Sequence, residues 1–312
     1  MSVSTRRRFV RQTILAAAGL CASGGPVFAR GARKSALLDG SAGRRLASAI
    51  KGRVITREAS DYESARLIFN RAFDLHPAMI VRCANTSDVA RTLEFAQTAN
   101  LPVAVRGGGH SRAGFSVCDD GVVIDLSPMK RVDVDAPRRL ARAGAGSLVG
   151  DLDAATMRFG LATPSGGCPN VGMAGFTLGG GEGLLMTMHG AGCDNLLSAQ
   201  VVLVDGKQVE ASGESNPDLF WAIRGGGGNF GVVTAFEYRL HPVGNVLAGA
   251  LTYPPGRIAE LVNDFAKFNE SAPDEMVPLG ELLRSEQEPR FINHICYFGL
   301  PATTCFDLCA RR

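Results

Sequence analysis

The sequence predicts an α+β fold with mixed sheets, on three observations. Residues 78–83 and 102–105 are short apolar runs on either side of a helical pattern over 89–99, an order that demands a crossover and therefore parallel strands. Residues 199–204 and 208–211 flank Asp205-Gly206, a turn dipeptide suited to an antiparallel hairpin. Strand patterns at 121–126, 132–134 and 140–143 follow one another with no helix between them.

Taken in order, residues 30–51 are rich in Gly, Ala, Ser and Arg and predict a poorly ordered lead-in. Residues 62–73 place Ala65, Ile68, Phe69 and Ala72 at helical spacing. The run at 78–83, bounded by Pro77 and Asn85, predicts a buried strand. Asn85, Thr86, Ser87 and Asp88 are N-cap candidates for the helix over 89–99, whose inner face carries Val89, Leu93, Ala96 and Ala99. Ser147 can cap a helix over 148–159 with Leu152, Ala155 and Phe159 on one side. Asn216-Pro217 opens a short helix bearing the single tryptophan, Trp221, and residues 232–240 make a long strand. Beyond Pro242 the composition changes. Residues 253–256 predict a turn, 257–269 a helix (Ile258, Leu261, Val262, Phe265, Phe268) and 291–298 a strand.

The 312 residues are enough for one large or two ordinary domains, and the 38 glycines cluster in loops without a repeat. The formal charge of +3 misrepresents the body of the chain. Residues 1–45 hold nine of the 33 basic side chains and one of the 30 acidic ones, so the remainder is acidic by five. The basic excess is thus N-terminal and does not describe a nucleic-acid face. Residues 5–10 (TRRRFV) fit the twin-arginine export pattern, the apolar run 14–22 is too short to span a bilayer, and Val27-Phe28-Ala29 resembles a cleavage site. The expectation is a signal peptide over 1–29, engagement of the twin-arginine export machinery, an exported protein and no stable membrane anchor. Among the eight cysteines, Cys83, Cys118 and Cys193 sit singly among apolar or glycine-rich neighbours and predict free thiols. Cys168 is different.

Three glycine-rich stretches organise the chain. Arg106-Gly107-Gly108-Gly109-His110-Ser111 follows the strand at 102–105, which puts it at the carboxyl end of a parallel strand, where such sheets place ligands. Consecutive glycines let backbone N–H groups approach an anion without β-carbon interference. Residues 163–183 read TPSGGCPNVGMAGFTLGGGEG, with Cys168 between a glycine pair and a proline, and residues 224–234 read RGGGGNFGVVT.

Together these stretches, over residues 76–242, resemble the p-cresol-methylhydroxylase (vanillyl-alcohol-oxidase) type of FAD-binding domain, and within it the berberine-bridge-enzyme-like oxidases. The resemblance implies a PCMH-type domain over 76–243, after a lead-in over 30–75, and an incomplete α+β substrate domain over 244–312. It implies FAD held covalently twice, through His110 to the flavin 8α-methyl and through Cys168 to C6, with single attachment through His110 as the alternative. Attack by His110 requires neutral imidazole and attack by Cys168 requires thiolate, which the loop N–H groups would favour. The resemblance assigns the pyrophosphate to Gly107, Gly108, Gly109 and Ser111, with a second segment at Gly172, Gly175, Thr177, Gly179, Gly180 and Gly183. It assigns flavin or adenine contacts to Asp194, Asn195, Gly228, Asn229, Gly231 and Val232. Arg106 and Arg224 are either anion partners or members of structural ion pairs. Ala174 departs from a frequent glycine, and Thr187-Met188 stand where a basic residue is common.

The implied reaction oxidises an alcohol or sugar hemiacetal, with small molecules or oligosaccharides as donors and oxygen as the acceptor that yields hydrogen peroxide. The catalytic base of the family lies in a segment with no counterpart here, so no base is assigned. His189 lies near the cofactor segment without geometry to promote it. Residues 301–305 do not resemble the family, which points to a shortened chain. Two rival readings stand beside the oxidase: a non-catalytic or unstable flavin-binding fragment, and a nicotinamide-dependent reductase on the same fold, against which the His110/Cys168 pair argues. Gly226, Gly228 and Gly231 match a dinucleotide fingerprint but precede a strand, the reverse of what that motif needs. Ser127 to Lys130 matches S-x-x-K without its companion motifs, and His294, Cys296, Cys305 and Cys309 are spaced too irregularly for zinc, so no metal is expected.

Overall fold

The computed structural model describes residues 40–253, 256–284 and 289–299; the expected signal peptide, Cys305 and Cys309 lie outside them. The fold is α+β, as the sequence predicts. Its first sheet has the order β1-β2-β4-β3, formed by Arg53–Thr56, Met79–Arg82, Val122–Asp125 and Val103–Arg106. β1 is antiparallel to β2, whereas β2 and β3 both run parallel to β4, which lies between them. Val122, Val123 and Ile124 are fully buried, which accounts for a continuous apolar run in place of alternation. The crossover from β2 to β3 runs through α3 (Thr86–Thr98), and the glycine loop leaves the carboxyl end of β3.

The second sheet is antiparallel, order β5-β6-β10-β8-β9: Val132–Asp135, Leu140–Gly144, Val232–Arg239, Leu196–Val202 and Gln208–Ser212. The hairpin β8–β9 turns at Asp205-Gly206, where Gly206 takes φ +81°. One apolar core joins the two sheets, from Val81, Val122 and Ile124 to Val201, Phe236 and Tyr238. A two-residue pair, β7 (Leu161–Ala162) with β11 (His241–Pro242), leads to a third sheet, β12-β14-β13 (Leu247–Thr252, Arg290–Tyr297, Met276–Leu283), covered on one face by the helix Ile258–Ser271.

Several local expectations are corrected. The lead-in over 30–51 is ordered where described: α1 (Gly40–Ala49) buries Leu46, and Asp88 accepts the N–H groups of Lys51, Gly52 and Ala84. Residues 62–73 are helical only in α2 (Tyr62–Arg66), because Phe69 N–H leaves the helix to donate to Gly109 O at 3.0 Å. α3 starts at Thr86, capped by Asn85, whose side chain accepts from Asp88 N. Ser147 does not cap α4 (Val149–Thr156); its hydroxyl donates to Gly144 O, and the helix is followed by a 3-10 turn. Phe159 is exposed, and the buried face is Val149, Leu152 and Thr156. β13 escapes the sequence pattern because Pro278 and Gly280 interrupt it; both are tolerated on an edge strand.

Candidate cofactor site

The site is assembled at the end of β3. Among the described residues, the backbone N–H groups of Gly108, Gly109, His110 and Ser111 donate to no acceptor in the protein. Gly109 takes φ +70° and the loop is half-exposed, so this run of donors is open from outside. The loop rests directly on the second glycine stretch. A β-carbon on Gly108 would lie 2.3 Å from Gly172 N, and one on Gly172 would lie 2.3 Å from Gly108 N. On Gly107 it would lie 3.2 Å from Ala145 O and 3.4 Å from the Ala174 β-carbon, so the alanine in place of the family's glycine fits against a bare backbone.

The second stretch is fastened at the N-terminus of α4, where Gly150 N donates to Pro169 O and Val149 N to Val171 O, both at 2.9 Å. Cys168, just before these bonds, is exposed and free. A short helix, α5 (Met173–Leu178), carries the segment inward. Met173 N donates to Ser147 O at 3.0 Å. The glycines that follow are of two kinds. Gly181 and Gly183 have no room for a β-carbon, which would strike the Phe176 ring at 2.5 Å and Ser165 O at 2.1 Å, respectively. Gly175 and Gly180 face open space, and a β-carbon on Gly179 would meet the carbonyls of Gly175 and Phe176 at 3.2 and 3.8 Å.

The third stretch docks on the far end of α5: Gly225 N and Gly227 N both donate to Leu178 O, at 3.1 and 2.9 Å. Gly228 faces open space, and Asn229 is exposed, its amide on Gly226 O. Arg224 ties this loop to the segment after α5, donating to Cys193 O at 2.9 Å and pairing with Asp194 at 3.2 Å, while Cys193 N donates to Gly180 O. The three glycine stretches, far apart in sequence, therefore converge around α5.

Several expected contact residues point inward instead. Arg106 is buried, with its guanidinium on the carbonyls of Ala65, Arg66 and Ser116; burial lowers its pKa, with Asp125 opposing. Its side chain staples α2 to the β3 loop and is not offered to an anion. Thr177 is fully buried, with its hydroxyl 2.8 Å from the Tyr238 hydroxyl, whose pKa burial raises. Asp194 stays exposed but is engaged, accepting from Ala191 N and pairing with Arg224. Asn195 is buried and engaged on both ends of its amide, with His189 O and Ala191 O at 2.9 and 3.0 Å and the His241 ring at 2.7 Å. Val232 is in the core, and Gly231, at φ +148°, is pressed against Val201 and Val202. Ser111 Oγ accepts from Phe115 N at 3.1 Å, leaving its hydroxyl hydrogen free to donate.

Two features carried no usable sequence signal. Phe69 stacks on His110, with ring centroids 4.4 Å apart and planes 17° from parallel. His189 stacks on His241 at 3.7 Å; burial lowers both pKa values, that of His241 to about 4, where the neighbouring His189, Arg239 and Arg139 add to the effect. His189 belongs to α6 (Met186–His189), whose Thr187 donates to Asp274 O at 2.6 Å, at the entry to β13. Among the described residues, His294 bonds Glu281 at 3.0 Å and no cluster of three potential metal ligands occurs.

The donor run, the close glycine contacts, the half-exposed His110 and the exposed Cys168 fit a phosphate-bearing cofactor with a reactive ring. Comparison with known proteins decides which. Residues 77–212 match the family model described as an FAD binding domain. They form an FAD-binding domain whose structural neighbours are berberine-bridge-enzyme-like and other FAD-linked oxidases. The (R)-6-hydroxynicotine oxidase of Paenarthrobacter nicotinovorans is 38% identical over 213 residues, 68% of this chain and 46% of that protein. The structure of Physcomitrella patens BBE-like 1 superimposes with TM-score 0.80 at 28% identity, covering 85% of this chain and 58% of that one. The xylooligosaccharide oxidase of Myceliophthora thermophila C1, solved with xylobiose, gives 0.76 at 27%, covering 86% and 59%. The chain spans about half the length of the curated relatives it matches. The matched residues contain the whole convergence around α5 except the third glycine stretch, which lies beyond residue 212.

Proposed function

We propose that the chain is an FAD-linked oxidase of an alcohol or sugar hemiacetal, with residues 76–243 as its flavin domain and residues 244–312 as the start of a substrate domain. One observation carries the reading: the unengaged N–H run at 108–111, seated on Gly172, has His110 in it and Cys168 exposed on the adjoining segment. The loop N–H groups and the Ser111 hydroxyl would hold the pyrophosphate, an arrangement of donors suited to a dianionic group. The open faces at Gly175, Gly180 and Gly228 leave room beside it. His110 and Cys168 would each bond the ring, so that it is fixed in position and orientation. When bound, FAD supplies a hydride acceptor that dioxygen reoxidises with release of hydrogen peroxide.

The neighbouring xylooligosaccharide and chitooligosaccharide oxidases support a sugar donor. The twin-arginine pattern at residues 5–10 supports export, and no described helix is long and apolar enough to cross a membrane. No base is assigned: His189 is stacked on His241 and its backbone oxygen holds Asn195, which makes it a structural element.

The test is intact mass and in-gel flavin fluorescence of denatured protein, for wild type, His110→Ala, Cys168→Ala and the double variant, followed by peroxide release with oligosaccharides. The reading expects one FAD per chain that survives denaturation in wild type and both single variants, and is lost only in the double variant. Covalent flavin that disappears in His110→Ala alone reduces it to single attachment. Flavin that never survives denaturation overturns the covalent reading, and bound flavin without peroxide release overturns the oxidase.

A further inference from the structure

We propose that Phe69 is the positioning residue for His110, holding the imidazole in the plane from which it bonds the flavin. This rests on the reading of His110 as a flavin tether. Among the described residues, neither ring nitrogen of His110 has a hydrogen-bond partner, so no polar contact fixes the ring. The phenyl face of Phe69 fixes it instead, at 4.4 Å and 17°.

Core packing does not explain where Phe69 sits. It is 62% exposed, while its neighbour Ile68, at 4%, fills the core. An exposed large aromatic that lies flat on one partner is held there by its backbone. The Phe69 N–H donates to Gly109 O at 3.0 Å, and the Asn70 side-chain amide donates to Arg112 O at 2.8 Å. These two bonds bracket His110 from both sides in sequence. They also explain why α2 stops at Arg66 despite helical spacing beyond it. The segment gives up helix to deliver one ring to one histidine.

The chemistry gives the stack a purpose. An imidazole nitrogen bonds the flavin 8α-carbon; the other ring nitrogen and that carbon each give up a proton. The electron pair left on the flavin passes to dioxygen, which with the two protons becomes hydrogen peroxide. Bond formation requires the nitrogen lone pair to lie in the imidazole plane and point at the carbon. A flat neighbour restricts rotation about the Cβ–Cγ bond while leaving both nitrogens, on the ring edge, unobstructed.

The experiment follows the formation of covalent flavin by full-length protein made in riboflavin-limited cells and then given FAD in air. All proteins carry Cys168→Ala, so that only His110 can make the bond. Non-covalent uptake is read separately by quenching of FAD fluorescence. With Phe69→Leu the attachment rate should fall about tenfold or more with uptake unchanged, and Phe69→Trp, which restores a flat face, should recover most of it. Attachment in Phe69→Leu as fast as in its parent overturns the proposal, as does failure of Phe69→Trp to attach faster than Phe69→Leu. Should Phe69→Leu not take up FAD, Phe69→Met serves as the second aliphatic variant under the same criteria. If the Cys168→Ala parent itself forms no covalent flavin, the tether reading has failed, an outcome distinct from a fast Phe69→Leu.

Discussion

Gly108 and Gly172 lie backbone against backbone, each with the other's amide nitrogen 2.3 Å from where its own β-carbon would be. Two loops that meet this closely cannot accept a methyl group without separating. Gly108→Ala and Gly172→Ala should each destabilise the protein by about 1–3 kcal/mol and abolish FAD uptake. Gly175→Ala is the contrast, because nothing lies within 4 Å of its β-carbon position. That substitution, inside a helix, should leave thermal stability unchanged or higher by about 0.5–1 kcal/mol, yet weaken FAD binding if the open face is where the cofactor lies. Melting curves and FAD titration of the three variants check both halves.

Thr177 and Tyr238 are each other's hydrogen-bond partner in the core. Thr177→Val and Tyr238→Phe should each cost about 1–3 kcal/mol, because each leaves a buried hydroxyl alone, whereas the double variant should cost less than the two together. Flavin content should stay at the wild-type level in the double variant. A loss of flavin with stability intact would return Thr177 to the cofactor site.

Arg106 donates to three carbonyls from a buried position. Arg106→Leu should lower stability by about 3 kcal/mol, since charged donors are lost and the carbonyls remain. Arg106→Lys should not rescue it, as one ammonium cannot reproduce the planar fork. Denaturant midpoints measured without cofactor separate this effect from any change in FAD affinity.

His241 has a folded pKa of about 4, below its ordinary 6.5. The unfolded chain therefore takes up the proton first as pH falls. Its contribution to stability is complete above about 6.5 and is lost as pH drops toward about 4. His241→Gln should flatten that acid limb in a plot of melting temperature against pH, while leaving the neutral region lower by the lost stack.

Much of this was legible in the sequence wherever the information is local. The apolar run at 78–83, the Asp205-Gly206 turn and the glycine stretches each specify their own backbone. Long-range placement was not legible. Nothing near residues 79–106 announces that β4 will insert between β2 and β3. A motif likewise marks where Arg106, Thr177 and Asn195 stand but not which way they face; each turned inward because partners elsewhere in the chain satisfied it. Phe69 shows the reverse case, since helical spacing assigned it to a helix that a hydrogen bond to Gly109 ends early.

β10 is the middle strand of the five-stranded sheet, with β6 on one side and β8 on the other. During synthesis the β5–β6 and β8–β9 pairs can form early, but they stay separate until residues 232–239 arrive to join them. Such late, distant pairing slows folding and exposes strand edges meanwhile. The five-stranded sheet can therefore close only after residues 232–239 have emerged from the ribosome. A nascent chain arrested before β10 should then be the form most in need of a chaperone.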